Sequence, residues 1–373
     1  MFLDNCWYAA AWAHEVAQAD DKLGRTICEK PIIFFRTASG QYTALDNRCC
    51  HRAAPLTLGR IEAECIRCMY HGMLYDVTGK VIEIPGQQKI PDNFRVRSYP
   101  VCEKGGMLWV WMGDPELADE NEILDFAPLN EPEQWRGFSE PAYLHYDANW
   151  LLIVDNLSDF SHVAFVHTNT LGGSEAYAYS STPEEIETLD DGFRMERWHY
   201  DSNVPPYHAK VITAAERKMQ VDRCNLMEMH IPGIFFMETT FRPARTIEAR
   251  SEEINADGEN ELEGTHEYRN CQYMTPETRH TTHFFWNYLH SAERDDPNLS
   301  ESLRESLLEG FMEDKVIIEE QQKLLQADTT FDPKFMLADK AFAIVRRIWN
   351  KRLEEEAITT PLQVAPDSRN RIL

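Results

Sequence analysis

Two closely spaced pairs of cysteine and histidine constrain this chain more than any other feature of its sequence. In NRCCHRAAPLTLGRIEAECIRCMYHG, one residue separates Cys49 from His51 and two residues separate Cys68 from His71. Each pair is short enough to lie in a single loop. Four side chains from two loops can serve one metal centre only if short strands bring the two hairpin turns together.

One thiolate and one imidazole on each loop favour a [2Fe–2S] cluster, in which the cysteines bind one iron and the histidines bind the other. Zinc is the alternative, because Cys65 and Cys68 form a Cys-x-x-Cys half-site that Cys49 or Cys50 and a histidine could complete. We favour the iron–sulfur cluster, because it alone uses both histidine spacings. Low-temperature EPR of the reduced protein distinguishes the two, since zinc gives no signal.

A second set of potential metal ligands lies in the apolar run VDNLSDFSHVAFVH. In a continuous α-helix, Asp155, Asp159 and His162 fall on one face, and the apolar residues between them predict that this face points inward. Charged groups inside a core are costly unless they bind something. His167 lies about 140° around an ideal helix from His162, so the two imidazoles can share a metal only if the helix unwinds near Phe165.

A mononuclear Fe(II) site needs two histidines and one carboxylate. The segment SESLRESLLEGFMEDKVIIEEQQKLL predicts a helix whose apolar residues recur every three or four positions, and Asp314 lies on that stripe. Charged residues are rarely buried without a partner, so Asp314 is the predicted third ligand. Gln321 is placed on the same stripe, whereas Glu313 lies off it and is predicted to be solvated.

Together these motifs resemble those of the Rieske non-haem iron oxygenases. The family follows its Cys-x-His and Cys-x-x-His cluster motif with an Asp-x3-Asp-x2-His-x4-His run and a distant aspartate, and all of these occur here in that order. The resemblance implies two ligand sets: Cys49, His51, Cys68 and His71 for a Rieske [2Fe–2S] cluster, and His162, His167 and Asp314 for mononuclear Fe(II).

The resemblance also assigns a role to Asp159. In the family this aspartate hydrogen-bonds an iron-ligating histidine, here His162, and bridges to a Rieske histidine of the neighbouring subunit, here His71. Electrons then cross between subunits of a head-to-tail homotrimer. The family usually has proline at the position of Cys50. Because proline would stiffen the loop, the loop is expected to be less rigid here, and the role of Cys50 is left open.

The predicted fold class is α+β. Residues 1–118 are expected to form an all-β Rieske domain, because runs such as PIIFFR and GMLWVWMGDP end at Gly, Pro or Asp. Residues 119–373 are expected to form a larger catalytic domain with an antiparallel sheet and helices, which the resemblance implies is of the helix-grip type. One hairpin has its predicted polar tip at residues 255–261, and LADKAFAIVRRIWNKRLEEE predicts a C-terminal amphipathic helix.

The segments NCWYAAAW, KLGRTI, IEIPGQ and YMTPET further resemble the branch that contains vanillate O-demethylase and dicamba monooxygenase. This resemblance implies the oxygenase component of a multi-component system, which uses O2 for oxidative O- or N-dealkylation of an aromatic compound. Hydroxylation of an aromatic ring or a benzylic carbon by the same centres is the alternative. A non-enzymatic electron carrier has no need for an iron triad, and a zinc-stabilised binding protein is the least favoured class.

Electrons are expected from a separate NAD(P)H-dependent reductase or ferredoxin, because the chain contains no GxGxxG nucleotide loop and no plant-ferredoxin cysteine pattern. Between Arg48 and Lys80, five basic residues outnumber three acidic ones in a chain whose net charge is −25. This local excess is a candidate docking patch for an acidic ferredoxin.

The charge of −25 argues against nucleic acid and against anionic membranes as partners. No apolar run approaches the roughly 18 residues needed to span a bilayer, and the N-terminus lacks the basic leader of a signal peptide, so we expect a cytoplasmic protein. Asn156, Val163 and Gln272 are the predicted pocket residues. No basic residue can be placed in the pocket from the sequence, which leaves the charge of the substrate open.

Overall fold

The computed structural model describes residues 1–172, 174–179, 185–244, 264–294, 296 and 298–359. The predicted hairpin tip at residues 255–261 lies outside these ranges. Among the helices of the described ranges, none combines the length and the apolar character needed to cross a membrane.

The N-terminal part of the chain forms three small antiparallel sheets from eleven short strands. The strands are β1 (Trp7–Trp12), β2 (Lys22–Ile27), β3 (Lys30–Arg36), β4 (Tyr42–Asp46), β5 (Arg60–Glu62), β6 (Cys65–Arg67), β7 (Leu74–Tyr75), β8 (Val81–Glu83), β9 (Ser98–Tyr99), β10 (Val101–Lys104) and β11 (Met107–Trp111). The sheet orders are β1-β11-β10, β2-β3-β4-β9 and β5-β6-β7-β8.

The predicted strand PIIFFR forms most of β3 and is buried on both faces. Ile33 and Phe35 pack into the core beneath the two Cys/His loops, whereas Ile32 and Phe34 pack into the main core of the molecule. A strand covered on both sides needs apolar residues at consecutive positions, which explains the unbroken apolar run.

The C-terminal part contains an antiparallel sheet of eight strands. The strands are β12 (Trp135–Arg136), β13 (Ala142–Tyr146), β14 (Glu185–Thr188), β15 (Gly192–Asn203), β16 (Gln220–His230), β17 (Ile234–Pro243), β18 (His266–Pro276) and β19 (Thr282–Ser291). The order is β12-β19-β18-β17-β16-β15-β14, and β13 also pairs with β19. The predicted all-β domain followed by an antiparallel sheet with helices is therefore confirmed.

Five α-helices accompany this sheet in the described ranges. They are α1 (Trp150–Ser158), α2 (Val163–Val166), α3 (Pro206–Ala209), α4 (Leu299–Ala327) and α5 (Lys340–Thr359). The predicted C-terminal helix is α5. Helix α4 packs on β19 through Phe311, whose ring centroid lies 4.8 Å from that of Trp286. A Cβ atom at Gly310 would lie 2.7 Å from Leu171 Cδ1, so glycine lets α4 approach the chain after α2 closely.

The two parts of the chain share an aromatic contact. The ring of Tyr273 in β18 lies 6.1 Å from the ring of Trp12 and 5.3 Å from that of Trp109. The hydroxyl of Thr275 donates a hydrogen bond to the backbone oxygen of Ala9 at 2.7 Å. These buried contacts fix the N-terminal sheets against the larger sheet. The predicted boundary after residue 118 falls between β11 and β12 and stays a prediction.

Candidate functional site

The motif helix breaks at Asp159. Helix α1 ends at Ser158, Asp159 is extended (φ −136°, ψ 102°), and a 3-10 helix at Phe160–His162 leads into α2. The predicted unwinding near Phe165 is therefore wrong in position, because the chain leaves the helix before His162. The break also separates residues that a continuous helix would have aligned.

Asp155 is the residue that this break removes from the site. Its carboxylate accepts a hydrogen bond from Arg346 of α5 at 3.0 Å, and burial raises its pKa to about 7 although Arg346 opposes the shift. The predicted common face of Asp155, Asp159 and His162 is therefore wrong. Asp155 ties α1 to α5 instead.

His162, His167 and Asp314 converge at one point. Their ligand atoms all lie within 4.8 Å of one another, with Asp314 Oδ1 3.6 Å from His162 Nε2 and 3.2 Å from His167 Nε2. In the described part of the chain, no other group of three His, Cys, Asp or Glu side chains meets this closely. Two imidazoles and one carboxylate are the donor set that suits Fe(II) with open coordination positions, so these residues fit such an ion.

Hydrogen bonds orient the first imidazole. The Nδ1 atom of His162 donates to the backbone oxygen of Asp159 at 2.5 Å, which leaves Nε2 directed at Asp314. The expected contact between Asp159 and His162 thus runs through the main chain, whereas the Asp159 carboxylate accepts from Ser161 N and Oγ at 2.7 and 2.9 Å. Burial lowers the pKa of His162, which favours the neutral form that a metal ligand requires.

Glu313 orients the second imidazole. Its Oε2 accepts hydrogen bonds from His167 Nδ1 at 2.7 Å and from the Thr170 hydroxyl at 2.6 Å. Burial acts to lower the pKa of His167, but the hydrogen bonds and charges of Asp314 and Glu313 outweigh it and raise the pKa. The prediction that Glu313 is solvated is therefore wrong, because α4 presses this residue against the loop after α2.

The C-terminal part of α4 also differs from the prediction. Gln321 is exposed, and Gln322 is buried instead, where its Oε1 accepts a hydrogen bond from Asn149 N at 2.8 Å. The buried face steps by four residues from Asp314 to Ile318 and Gln322. The predicted step of three residues at this end was wrong.

The two Cys/His loops have the same backbone turn. In each loop the cysteine N–H donates to the carbonyl five residues later, and the cysteine carbonyl accepts from the N–H four residues later, at 2.8–2.9 Å. Cys49 and Cys68 are buried beneath these turns, whereas His51 and His71 are exposed. The two imidazole centroids lie 4.5 Å apart, so each loop presents one buried thiol and one surface imidazole.

This arrangement does not fit a single zinc ion. Zinc holds its ligand atoms within about 4 Å of one another, and within the described residues no group of three Cys or His atoms at the two loops is that compact. Cys65, the half-site partner that zinc would use, is in β6 rather than in either loop. Two irons with separate ligand pairs match the two buried thiols and two surface imidazoles.

Tyr75 lies beneath the first loop. Its hydroxyl is 3.0 Å from Cys49 Sγ and 3.3 Å from Cys50 Sγ, and it accepts a hydrogen bond from Cys50 N at 3.1 Å. Burial raises the pKa of Tyr75, so the hydroxyl remains a donor. A proline at position 50 could not supply this N–H, so Cys50 contributes to holding the Tyr75 hydroxyl against Cys49.

The predicted basic patch is weaker than its composition indicates. Arg60 and Arg67 both pair with Glu62, at 2.5 and 2.7 Å, and Arg67 also pairs with Glu83 at 3.0 Å. Arg67 donates in addition to the Gly72 carbonyl at 2.6 Å, which braces the second loop. Acidic neighbours therefore offset the charge of both arginines, and Arg67 in addition serves the loop structure.

A cavity opens beside the triad, between the helices and the inner face of the large sheet. Asn156, Val163 and Gln272, the predicted pocket residues, all line it. Sequence reasoning missed Arg223 and Asn270, which also line it. The remaining lining residues are Leu157, Phe160, His162, His167, Leu171, Tyr207, Met237, Tyr288, Leu307, Phe311 and Asp314.

Two domain models match the chain. Residues 6–100 match the Rieske [2Fe–2S] domain, and residues 146–355 match the C-terminal domain of the vanillate O-demethylase oxygenase. The second match covers more than half of the chain and contains the triad and the cavity. The first contains both Cys/His loops.

Similarity to known proteins extends over nearly the whole chain. The iron–sulfur subunit of the toluene-4-sulfonate monooxygenase system of Comamonas testosteroni is 36% identical over 325 residues, covering 87% of this chain and 89% of that protein. The oxygenase component of chloroacetanilide N-alkylformylase of Rhizorhabdus wittichii is 28% identical, covering 95% and 97%. The crystal structure of dicamba monooxygenase with non-haem iron and dicamba aligns with a TM-score of 0.73 at 27% identity, covering 96% of this chain and 99% of that one.

These matches agree with the site in cofactor and in order along the chain: buried thiols and paired imidazoles in the N-terminal part, and a triad of two histidines and one carboxylate beside the cavity. The chain therefore belongs to the Rieske non-haem iron oxygenases, as an oxygenase component with a Rieske [2Fe–2S] cluster and a mononuclear iron.

Proposed function

We propose that this oxygenase removes an alkyl group from the oxygen or nitrogen of a small aromatic compound. The observation that carries the proposal is the triad of His162, His167 and Asp314 with a cavity beside it. The matching domain model is named for O-demethylation, and one relative is named for removal of an N-alkyl group. Another relative is named for toluene-4-sulfonate, so oxidation of a ring-bound methyl group is the alternative that an experiment must separate.

Each metal centre is assigned to specific ligands in this proposal. Cys49, His51, Cys68 and His71 bind the Rieske cluster, and His162, His167 and Asp314 bind Fe(II). The convergence of the three triad atoms and the equivalent turns at the two cysteines support these assignments. Bound iron supplies the reductive activation of O2.

The protein side chains around the iron position the ligands and exclude water. Asn156 Nδ2 donates to Asp314 Oδ1 at 3.0 Å, which holds the carboxylate toward the two imidazoles. Leu157, Phe160, Leu307 and Phe311 supply an apolar wall for an aromatic ring. A cavity of this kind binds a ring by apolar contact and orients it through a few polar groups.

For a methyl aryl ether, one oxygen atom of O2 enters a methyl C–H bond and the other leaves as water, with two electrons and two protons consumed. The product is a hemiacetal, whose C–O bond to the methylene carbon breaks to give formaldehyde and a phenol. An N-alkyl substrate gives a carbinolamine and then an aldehyde and an amine. The aryl–heteroatom bond stays intact in both cases.

The electron path in this proposal crosses between subunits of a homotrimer. Asp159 borders a groove on the outer surface between α1, α4 and α5, where Phe331 and Phe335 are exposed. His71 is exposed on the second cluster loop. An exposed imidazole and a groove with a carboxylate at its edge support a head-to-tail contact between two copies, with Asp159 joining His71 of one subunit to His162 of the next.

Electrons reach the cluster from a separate NAD(P)H-dependent reductase or ferredoxin, in the cytoplasm, where the reductant is available. Because Arg60 and Arg67 are paired with acidic residues, Arg48, Arg52 and Lys80 are the remaining basic side chains of the predicted patch that could contact an acidic carrier. Docking there would place the carrier near the exposed imidazoles.

The test is a product assay by mass with the iron-loaded enzyme, a surrogate reductase and NADH. The substrates are aryl methyl ethers, N-alkyl anilides and methyl-substituted aromatics of similar size. The proposal predicts loss of the alkyl group with one aldehyde released for each phenol or amine. Gain of oxygen without loss of carbon, across the whole panel, would assign the enzyme to hydroxylation instead.

A further inference from the structure

Arg223 is a buried cation in the cavity wall. It lies on β16, is 4% exposed, and lines the same cavity as the triad. Its inward direction follows from the strand, because alternate residues of β16 face the same side and Asn225 and Met227 are likewise buried. Asp222, the adjacent carboxylate, points to the other face and is paired in register with Arg242.

The guanidinium lacks a carboxylate partner within the described part of the chain. It lies over the rings of Tyr177, Tyr207 and Phe241, at 5.4–5.9 Å from their centroids. Its Nε donates to Asn225 Oδ1 at 3.4 Å and its Nη1 to the Leu171 carbonyl at 3.3 Å. Arginine has five N–H donors, so these two long bonds leave most of its capacity unused.

An unpaired buried cation is costly, and burial without an anion is tolerated when a ligand supplies the charge. The cost is notable in this chain, where 62 acidic residues face 37 basic ones and yet none of the described carboxylates pairs with Arg223. The surrounding rings hold the guanidinium in place without neutralising it. The cavity wall is therefore positively charged at Arg223.

Two amide oxygens of the cavity wall also lack partners in the described part of the chain. Asn270 and Gln272 on β18 are each 2% exposed, and neither Asn270 Oδ1 nor Gln272 Oε1 has a hydrogen-bond partner there. Both unpartnered atoms are oxygens, which accept hydrogen bonds, so each amide would favour an anion only with its nitrogen facing the cavity. Their position adds neutral polar groups to a site whose charge comes from Arg223.

We propose that Arg223 binds an oxyanion attached to the aromatic ring of the substrate, a carboxylate or a sulfonate. The planar guanidinium presents two parallel N–H groups that match the oxygens of either anion. This inference deepens the proposed function and rests on it in one respect, namely that the cavity beside the triad is the substrate site. In this proposal Arg223 selects substrates by their charge in the cavity beside the triad.

The test measures dissociation constants by titration calorimetry for the holoenzyme with three probes: 4-methoxybenzoate, 4-methoxybenzenesulfonate and the uncharged 4-methoxybenzamide. In the wild type, at least one anion should bind more tightly than the amide. Arg223→Met should weaken that anion about 10- to 100-fold and the amide less than about threefold. Arg223→Lys keeps the positive charge but not the two parallel N–H groups, so it should weaken binding of the anion by an intermediate factor. The two anions distinguish a carboxylate site from a sulfonate site.

The control variant is Arg269→Met. Arg269 lies over Trp135 at 4.4 Å on the opposite face of the same sheet, so its removal should leave all three dissociation constants unchanged. Visible absorption of the cluster and the melting temperature report folding, and Arg223→Lys carries the test if Arg223→Met does not fold. Failure of both anions to bind the wild type, or equal weakening of all three probes in the Arg223 variants, would overturn the inference.

Turnover separates this inference from the proposed function. If the wild type dealkylates aryl ethers but the Arg223 variants show no selective loss of anions, the inference fails and the function stands. If anion binding depends on Arg223 but products retain their alkyl groups, the function fails and the anion site stands.

Discussion

Glu313 Oε2 accepts a hydrogen bond from His167 Nδ1 at 2.7 Å. Glu313 and Asp314 are consecutive residues of helix α4, yet both contact His167. The two carboxylates thus approach the same imidazole from opposite ring nitrogens, Asp314 at Nε2 and Glu313 at Nδ1. One side is available for a metal and the other fixes the ring. Helix α4 therefore supplies both a predicted ligand and the group that orients a second ligand.

Replacing Glu313 should weaken iron binding without unfolding the protein. Glu313→Ala leaves His167 Nδ1 without its acceptor, and loss of such an outer partner typically costs about 10- to 100-fold in metal affinity. Glu313→Gln keeps an acceptor and should lose less. Competition of the enzyme with a chelator for Fe(II) measures the affinity. Glu309→Gln, one turn earlier on the exposed face of α4, is the matched control, and a wild-type affinity in Glu313→Ala would contradict the assigned role.

Asp159→Asn should separate the metal sites from the electron path. Asparagine keeps an acceptor for Ser161 N, and the bond from His162 goes to the backbone, so both metals should stay bound. Loss of the charge should slow reoxidation of the reduced cluster, on mixing with substrate and O2, by about 10- to 100-fold. Stopped-flow absorption of the cluster gives the rate. Ser161→Ala keeps the Asp159 charge and should react at the wild-type rate, and an equally fast Asp159→Asn would refute the path through Asp159.

Tyr75→Phe should lower the reduction potential of the Rieske cluster. A donor to a cluster sulfur stabilises the reduced, more negative state, so its loss should shift the potential down by about 40 mV, equivalent to roughly 1 kcal/mol for one electron. Protein-film voltammetry measures the shift. Cys50→Ala keeps the N–H that Tyr75 accepts and should change the potential less. An unchanged potential in Tyr75→Phe would show that this hydroxyl does not donate to a cluster ligand.

His230 should make stability depend on pH. Burial acts to lower its pKa, but hydrogen bonds from its ring to Asp191 and Glu228 outweigh this and raise the pKa to about 9, above the unfolded value of about 6.5. The stabilisation is therefore complete below about pH 6.5 and is lost as pH rises through 9. His230→Gln should be less stable than the wild type by about 1–2 kcal/mol at pH 6 and nearly equal to it at pH 10.

Denaturation midpoints of the two proteins across this range measure the difference. The exposed His14 provides a matched control, because His14→Gln should lower stability at neither pH. A difference in stability between wild type and His230→Gln that stays constant from pH 6 to 10 would mean that the charge of His230 does not stabilise the fold.

The candidate metal ligands could be predicted from their spacing, because such groups of Cys, His and Asp are rare and, apart from Asp314, lie close together in the sequence. The Cys/His pairs and the position of Asp314 on an apolar stripe required no long-range information, and the structure places Asp314 beside both histidines. Where the helix around the motif would break could not be read in the same way. Its position depends on Asp159, which caps a 3-10 helix and leaves the α-helical region of backbone space.

The residues that sequence reasoning missed depend on packing between distant segments. Glu313 looked solvated because periodicity assigns it to an outer face, yet Gly310 lets α4 approach the loop that holds His167 and Thr170. Arg223 had a readable signal, since it alternates in phase with Met227 and Met229 in one strand. Only the fold, however, places that strand face against the cavity of the triad.

The proposed dealkylation is tested most directly by the fate of oxygen from 18O2 with the aryl methyl ether that the enzyme converts fastest. We expect a phenol that carries no label, with one formaldehyde released for each phenol, because oxygen enters the alkyl carbon and the aryl–oxygen bond stays intact. Label in the aromatic product, with the alkyl group lost or retained, would contradict it and place the oxidation on the ring.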